Sequence, residues 1–180
     1  MKNLLIDIGN SSFCKLAVSD GSSILSVCRL EKAELVSAVE KERACGEIDI
    51  VCVSSVAHDN PVLEDRLRAV CGKVVVVDAF TPMPLKVDYD TPGTLGADRI
   101  AAALGAAELF PGEDCLIFDF GTAITVDLVT SDGIFIGGNI SPGLSLRLSA
   151  LHEHTGRLPL VSPAVPVRMY GRNTCLLYPS

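Results

Sequence analysis

One internal repeat constrains the fold of this chain more than any other feature of its sequence. The segment LLIDIGNSSFCKLAVSDG at 4–21 returns as LIFDFGTAITVDLVTSDG at 116–133, at a constant offset of 112 residues and without a gap, so that Asp7 falls on Asp119. Each copy reads as a strand, a turn with a glycine two residues after the aspartate, a second strand and an Asp-Gly hairpin. The repeat therefore predicts a duplicated fold made of two related halves.

The order of the expected elements supports an α/β duplication. Hydrophobic patterning predicts three strands, a helix, a strand, a helix and a strand, then a proline-rich connection over 80–95, a helix, three strands and a last helix. The predicted strands are 3–8, 13–18, 24–30, 48–56, 73–78, 114–119, 123–129 and 133–139, and the predicted helices are 31–44, 61–71, 96–110 and 142–154. Strand 73–78 is so apolar that we expect neither of its faces to be exposed. We expect one half over 1–94 and the other over 95–180, with a ligand cleft between them.

Composition limits the class of partner. The chain has 180 residues, of which 48% are hydrophobic and 21% charged, so it can form a packed core. Its net charge of −7 argues against a nucleic-acid-binding surface, which would be basic. A nucleotide ligand remains compatible with this charge, because backbone N–H groups and one arginine can hold an anion.

The cysteines and the N-terminus indicate a cytoplasmic protein. The seven cysteines are odd in number and form no C-x-x-C pair, so we expect reduced and mostly buried thiols. The N-terminus runs directly into a strand with one lysine and no small-residue cleavage site, so we expect no signal peptide. No apolar stretch approaches the roughly 20 residues that span a bilayer, so we expect no membrane partner.

The turn after the first strand of each copy has the composition of a phosphate-binding loop. It reads Asp-x-Gly and then Asn10-Ser11-Ser12 in the first copy and Thr122-Ala123 in the second. Glycine allows a close approach to a ligand, N–H groups and small polar side chains can surround phosphate oxygens, and the carboxylate can hold a hydrated cation. One such turn alone is more simply a hairpin feature, whereas two copies in register favour phosphate binding.

Two further glycine-rich segments open helices. In TPGTLGADR at 91–99, Asp98 offers a carboxylate that can take a hydroxyl proton, and Arg99 offers a guanidinium that can grip a carboxylate. An exposed ion pair in the first helical turn explains the same residues equally well. The segment GGNISPG at 137–143 is either a second anion-compatible corner or a tight connection between strand and helix. The pair of histidines in 152–154 favours a solvated helix end over a metal site, because no third ligand stands nearby.

Five linked motifs resemble those of type III pantothenate kinases in order and spacing. They are Asp7-x-Gly9-Asn10-Ser11, Gly96-Ala97-Asp98-Arg99, Asp119-x-Gly121-Thr122-Ala123-x-Thr125-x-Asp127, Gly138-x-Ile140-x-Pro142-Gly143 and Gly171-Arg172-Asn173-Thr174. The resemblance covers residues 1–174. It implies an actin/hexokinase-like (ribonuclease H-like) fold and transfer of the γ-phosphate of ATP to the 4′-hydroxyl of pantothenate, the first step of coenzyme A biosynthesis. It also implies a homodimer, Mg²⁺ and a monovalent cation, either K⁺ or NH₄⁺.

The same resemblance assigns roles to residues by position. The ATP-binding residues would be Asp7, Ile8, Gly9, Asn10, Ser11, Ser12, Phe13, Cys14 and Thr122. The pantothenate-binding residues would be Gly96, Ala97, Asp98, Arg99 and Thr174. Asp98 would be the general base, Arg99 would contact the carboxylate of pantothenate, and Asp119 would ligate the monovalent cation. Reasoning from the residue types alone also predicts phosphate binding by the two Asp-x-Gly turns, called here the first phosphate turn (7–12) and the second phosphate turn (119–123). It also singles out the Asp98–Arg99 pair, but it does not identify pantothenate as the substrate.

The end of the chain departs from the family pattern. The last residues, CLLYPS at 175–180, have no helical pattern, and we expect the second half to be incomplete with part of its sheet uncovered. Two alternatives stay open: a kinase for a sugar or another small alcohol, and a catalytically inactive or regulatory nucleotide-binding relative. Arg99 favours an acceptor that carries a carboxylate.

Overall fold

The structure is a computed structural model, and it describes residues 1–55, 61–164 and 174. Within these residues, nine strands and four α-helices follow one another. The strands are β1 (Asn3–Ile8), β2 (Phe13–Ser19), β3 (Ile24–Glu31), β4 (Ile50–Ser55), β5 (Val74–Val76), β6 (Lys86–Val87), β7 (Cys115–Phe120), β8 (Ala123–Val129) and β9 (Ile134–Pro142). The helices are α1 (Leu35–Ala44), α2 (Pro61–Val70), α3 (Ala97–Leu109) and α4 (Leu144–Glu153). The predicted order is confirmed, and the two-residue β6 is the strand that the patterning missed.

The chain divides into two compact units. The first unit consists of Met1–Leu116 with Asp127–Gly137, and the second consists of Ile117–Val126 with Gly138–Ser180. The first phosphate turn and the start of α3 belong to the first unit, and the second phosphate turn belongs to the second.

The first unit contains a five-stranded sheet in the order β3-β2-β1-β4-β5. β1 pairs antiparallel with β2 and parallel with β4, so that Leu4 lies opposite Val18 on one side and Val51 on the other. Hairpins can join only antiparallel strands, whereas the parallel strands β4 and β5 follow the helical crossovers α1 and α2. This mixed order is that of the ribonuclease H-like half that the sequence predicts.

The core of the first unit follows from alternation along the central strands. Alternate side chains of a strand point to the same face of its sheet. Leu4, Ile6 and Ile8 of β1 therefore share one face, and all three are buried. They cluster with buried residues of the two helices, among them Leu35 of α1 and Leu67 of α2. Burial of each such side chain stabilises the folded state by about 1.5–3 kcal/mol relative to leaving it exposed to water.

The strand predicted at 73–78 is shorter in the structure, although none of its valines is exposed. β5 has only three residues, with Val74 buried and Val75 and Val76 half-buried. It pairs with β4 on one side only, because it is the last strand of the sheet. An apolar run therefore does not establish an interior position in the sheet.

The expectation of mostly buried thiols is also wrong for part of the set. Cys14 and Cys71 are buried, but Cys28 and Cys45 are exposed. Cys28 lies on the solvent-facing edge strand β3, and Cys45 follows the end of α1. Cys175 lies outside the described residues.

The second sheet has the order β6-β9-β8-β7. β6 pairs parallel with β9 and lies within the connection over 80–95 that the sequence predicts to be irregular. The hairpins of the two sequence copies adopt similar backbone conformations, since Gly21 and Gly133 both have positive φ, at 96° and 73°. The repeat in the sequence is thus a repeat in local structure.

The second unit exposes a large apolar surface, as expected. Phe118 and Phe120 of β7 are both exposed, and their rings stack with centroids 6.2 Å apart. Ile140 of β9 and Leu144 of α4 are exposed too. In the part of the chain that the structure describes, no helix has the length and apolar character needed to cross a bilayer.

Candidate functional site

The first phosphate turn joins β1 to β2 and presents polar groups to solvent. Asn10, Ser11 and Ser12 are exposed, and Gly9 is half-buried with open space where a side chain would stand. The Ser11 hydroxyl accepts the N–H of Phe13 at 3.3 Å, which closes the turn onto the next strand. This geometry leaves room for a ligand against the backbone.

The residues that flank this turn differ in what they can contact. Asp7 pairs with Lys15 at 3.4 Å, and the two side chains are 43% and 66% exposed, so water screens the pair and leaves the carboxylate accessible. Ile8 and Cys14 point into the core, and burial raises the pKa of the Cys14 thiol. Any contact of Cys14 with a nucleotide therefore involves its backbone.

The second phosphate turn is held by the corner between β9 and α4. The N–H of Gly143 donates to the Thr122 carbonyl at 2.8 Å, and the N–H of Gly121 donates to the Ala123 carbonyl at 2.9 Å. A Cβ on Gly143 would stand 2.6 Å from the Thr122 oxygen and would also collide with the Gly121 carbonyl. The glycine-rich corner is thus needed for this close packing of backbone on backbone. Asp119 lies exposed at the end of β7.

Replacing Gly143 by alanine should destabilise the protein by about 1–3 kcal/mol, because backbone atoms must move to admit the new methyl group. Thermal unfolding measures this effect. The matched control is Gly105→Ala, at an exposed position of α3 with nothing near the new Cβ. That control should stabilise the protein by about 0.5–1 kcal/mol through helix propensity. Equal melting temperatures for the two variants would contradict the packing argument.

Asp98 lies in the first turn of α3 with a defined orientation. Its Oδ1 accepts the backbone N–H of Arg99 at 2.9 Å and occupies the place that a Cβ on Gly96 would need. Among the described residues, Oδ2 has no hydrogen-bond partner. The carboxylate is half-buried, so one oxygen is fixed while the other can accept a proton from a ligand.

Arg99 forms a buried ion pair with Asp127 of β8. Its Nε donates to Oδ1 at 2.9 Å and to Oδ2 at 3.2 Å, and its Nη2 also donates to Oδ1. The side chains are 7% and 1% exposed, and the guanidinium lies 5.6 Å from the ring centroid of Phe135 and 5.9 Å from that of Tyr89. The hydrogen bonds to Asp127 raise the pKa of Arg99 above its ordinary value, although desolvation opposes this. The guanidinium predicted to contact a ligand thus has an internal partner.

A cavity of about 320 Å³ opens at the carboxyl ends of the parallel strands of the first sheet. This end of an α/β sheet is the usual place for a ligand, and the volume suits a small molecule. The wall combines strand ends, the start of α2 and the segments 77–80 and 92–97. It contains Ile8, Gly96 and Ala97 from the predicted site residues, but neither Asp98 nor Arg99.

Sequence reasoning missed several residues of this wall. Glu64 and Asp78 bring carboxylates, and Thr94 brings a hydroxyl. Asp78 accepts the N–H of Phe80 at 2.9 Å, and hydrogen bonds, chiefly from Thr81, lower its pKa. The sequence did contain a signal for part of this wall, because the proline-rich connection follows the end of a strand, and loops in such positions often bind ligands. These carboxylates can accept hydrogen bonds from hydroxyl and amide groups of a ligand, whereas they would repel a ligand carboxylate placed beside them.

The remaining predicted features are less informative. Thr174 is exposed, whereas 171–173 and 175–180 lie outside the described residues. His152 is exposed and its Nδ1 lies 2.7 Å from the Leu158 carbonyl, at the solvated helix end that the sequence favours. In the described part of the chain, no group of three histidine, cysteine or acidic side chains could hold a metal ion.

Comparison with known proteins gives a consistent result. The family model described as "Type III pantothenate kinase" matches residues 3–176. The type III pantothenate kinase of Porphyromonas gingivalis (strain W83) is 41% identical over 175 residues, which cover 96% of this chain and 70% of that protein.

Solved structures support the fold alone. A Campylobacter jejuni protein assigned to the Baf family of transcriptional activators superposes with a TM-score of 0.58 at 22% identity, covering 98% of this chain and 71% of that one. A Sinorhizobium meliloti protein assigned as a 2-dehydro-3-deoxygalactonokinase gives 0.53 at 12% identity, covering 85% and 58%. These neighbours establish the actin/hexokinase-like fold.

Proposed function

The chain belongs to the type III pantothenate kinase family, and from this membership we propose that it phosphorylates pantothenate on its 4′-hydroxyl with ATP. The match over residues 3–176 is the observation that carries the proposal. The product, 4′-phosphopantothenate, makes this the first step of coenzyme A biosynthesis. The chain spans about 70% of the length of the Porphyromonas gingivalis relative.

Asp98 is the proposed general base. The bond from the pantothenate 4′-oxygen to the γ-phosphorus forms as the bond from the bridging oxygen of ADP breaks, and the hydroxyl proton passes to the carboxylate. The hydrogen bond from Arg99 N–H to Oδ1 supports this role, because it fixes the carboxylate while Oδ2 can accept the proton. Orientation of the two reactants and electrostatic stabilisation of the transferred phosphoryl group supply most of the acceleration.

The proposal assigns the triphosphate to the turns. Residues 9–12 contact phosphate oxygens through N–H groups and side chains, and Thr122 contacts ATP in the second turn. The accessible carboxylate of Asp7 fits a hydrated Mg²⁺, which needs only one or two protein carboxylates when phosphates complete its coordination. When bound, Mg²⁺ neutralises part of the triphosphate charge. Asp119, exposed at the end of β7, is proposed to ligate K⁺ or NH₄⁺.

Pantothenate is assigned to the cavity beside Gly96 and Ala97. The hydroxyl and amide groups of this substrate can donate to the acidic and carbonyl groups of the wall. Arg99 and Thr174 remain proposed contacts. Because Asp127 engages the Nε and Nη2 of Arg99, a substrate carboxylate has to approach another edge of the guanidinium. The homodimer, the cytoplasmic location and the division at 94/95 also remain proposals.

Pantothenate should stimulate ADP release by the purified chain in the presence of Mg²⁺ and K⁺, and a hexose of similar size should not. A coupled assay with ATP alone, with pantothenate and with the hexose measures this difference. Stimulation by the hexose instead would identify a different alcohol kinase. Binding of ATP without pantothenate-dependent release would identify a nucleotide-binding relative that does not catalyse.

A further inference from the structure

Lys32 holds both ends of the first phosphate turn. It follows β3 directly in the chain, and its Nζ donates to the Gly9 carbonyl at 2.7 Å. Its backbone N–H donates to the Ser12 carbonyl at 3.0 Å. Neither the repeat nor the family motifs quoted above include this residue. A single half-buried lysine therefore fixes the start and the end of the segment 9–12.

These two contacts set the direction of peptide groups in the turn. In a planar trans peptide the C=O and the following N–H point in opposite directions. With the Gly9 carbonyl turned towards the Lys32 ammonium, the N–H of Asn10 points away from the ammonium. The Ser12 carbonyl is likewise turned towards Lys32. A loop that binds an anion needs this arrangement, because carbonyl oxygens repel phosphate and N–H groups attract it.

The other lysine near the turn has a different role. Lys15 lies on β2 with its side chain largely in solvent and pairs with the Asp7 carboxylate, not with the backbone. Lys32 contributes its positive charge beside the turn itself, where this charge opposes the rise in the pKa of the Cys14 thiol that burial causes. It also lines a second cavity, of about 250 Å³, that adjoins Ile8.

We propose that Lys32 is a positioning residue for ATP: its ammonium anchors the Gly9 peptide so that the turn presents N–H groups to the phosphates. The inference rests on the proposed function, because it requires the turn to bind ATP. It assigns a role to a contact between residues 23 positions apart.

Lys32→Met should raise the dissociation constant of Mg·ATP and the KM for ATP by roughly tenfold, the loss expected for one charge-assisted hydrogen bond. The KM for pantothenate should change much less, because α3 and its cavity are untouched. Lys32→Arg can still donate to the carbonyl and should stay within about threefold of the wild type. Calorimetric titration with Mg·ATP and steady-state kinetics measure these values.

Lys2→Met is the matched control. Lys2 Nζ also donates to a backbone carbonyl at 2.7 Å, that of Glu42, and pairs with the Glu42 carboxylate at 2.8 Å. The control therefore loses a comparable stabilising contact away from the turn. It should lower the melting temperature without weakening ATP binding.

The outcomes separate this inference from the proposed function. If the wild type binds Mg·ATP and Lys32→Met binds it equally well, Lys32 has no positioning role and the kinase assignment stands. The arginine variant gives a second test that does not depend on how well the methionine variant folds. If Lys32→Arg keeps the wild-type melting temperature but binds Mg·ATP as weakly as Lys32→Met, anchoring of the Gly9 carbonyl is excluded as the role of Lys32. Absence of ATP binding by the wild type would overturn both proposals.

Discussion

Replacing Asp98 by asparagine is expected to lower turnover by roughly two to four decades, the usual contribution of a general base. Asparagine keeps the shape of the side chain, and its oxygen can still accept the N–H of Arg99 as Oδ1 does in the wild type. The start of α3 should therefore persist. What is lost is the ability to take the proton of the acceptor hydroxyl, since an amide is not a base near neutral pH.

The measurement is kcat for pantothenate-dependent ADP release, together with the dissociation constant of Mg·ATP. ATP affinity should remain close to that of the wild type, because the phosphate turns do not depend on Asp98. Asp65→Asn is the control: the residue is an exposed carboxylate on α2, and the substitution removes the same charge. Turnover by Asp98→Asn that equals that of the wild type would remove Asp98 from the mechanism.

The sequence predicted those parts of the fold that depend on local pattern. The offset between Asp7 and Asp119 indicated two similar turn-and-hairpin units, and the positive φ of Gly21 and Gly133 confirms the hairpins. Alternation of apolar residues located β1 and its neighbours, because one face of each must enter the core. Such signals lie within a few residues of each other in the chain.

The sequence could not supply contacts that the tertiary fold creates. Arg99 stands beside Asp98, so a ligand role was reasonable, but its ion-pair partner is 28 residues away on β8. The signal for this pair was Asp127, a lone charge within the apolar strand AITVDLV, where an unpaired carboxylate would be costly. Patterning shows that such a charge needs a partner, but it does not identify which arginine or lysine provides it.

The candidate cavity illustrates the same limit. Its wall joins Ile8, the start of α2 and the segment 92–97, which are brought together by the order of parallel strands. No spacing in the sequence encodes that convergence. The strand order follows from which faces and edges pair, and the apolar run that became β5 shows that hydrophobicity alone does not identify an edge strand.

The second large effect concerns stability. Asp127→Ala should lower the free energy of unfolding by about 3–5 kcal/mol, because it leaves the guanidinium of Arg99 buried without its counter-charge. The wild-type side chains are only 1% and 7% exposed, so water cannot readily replace the carboxylate. For a chain of this size each kcal/mol corresponds to about 2–4 °C, and we expect the melting temperature to fall by about 10 °C.

A double substitution tests whether this loss comes from the stranded charge. Arg99→Met with Asp127→Val removes both charges, and an apolar replacement of a buried pair is often neutral or stabilising. The double variant should therefore be more stable than Asp127→Val alone. The surface pair gives the contrast: Lys15→Met should cost less than about 1 kcal/mol, because water screens Lys15 and Asp7. Urea unfolding of the wild type, of the single variants Arg99→Met and Asp127→Val and of the double variant measures the coupling free energy, and the same method measures Lys15→Met. If the double variant loses as much stability as the sum of its two single substitutions, the ion pair does not couple Arg99 to Asp127, and the cost of each substitution then reflects lost packing around α3 and β8.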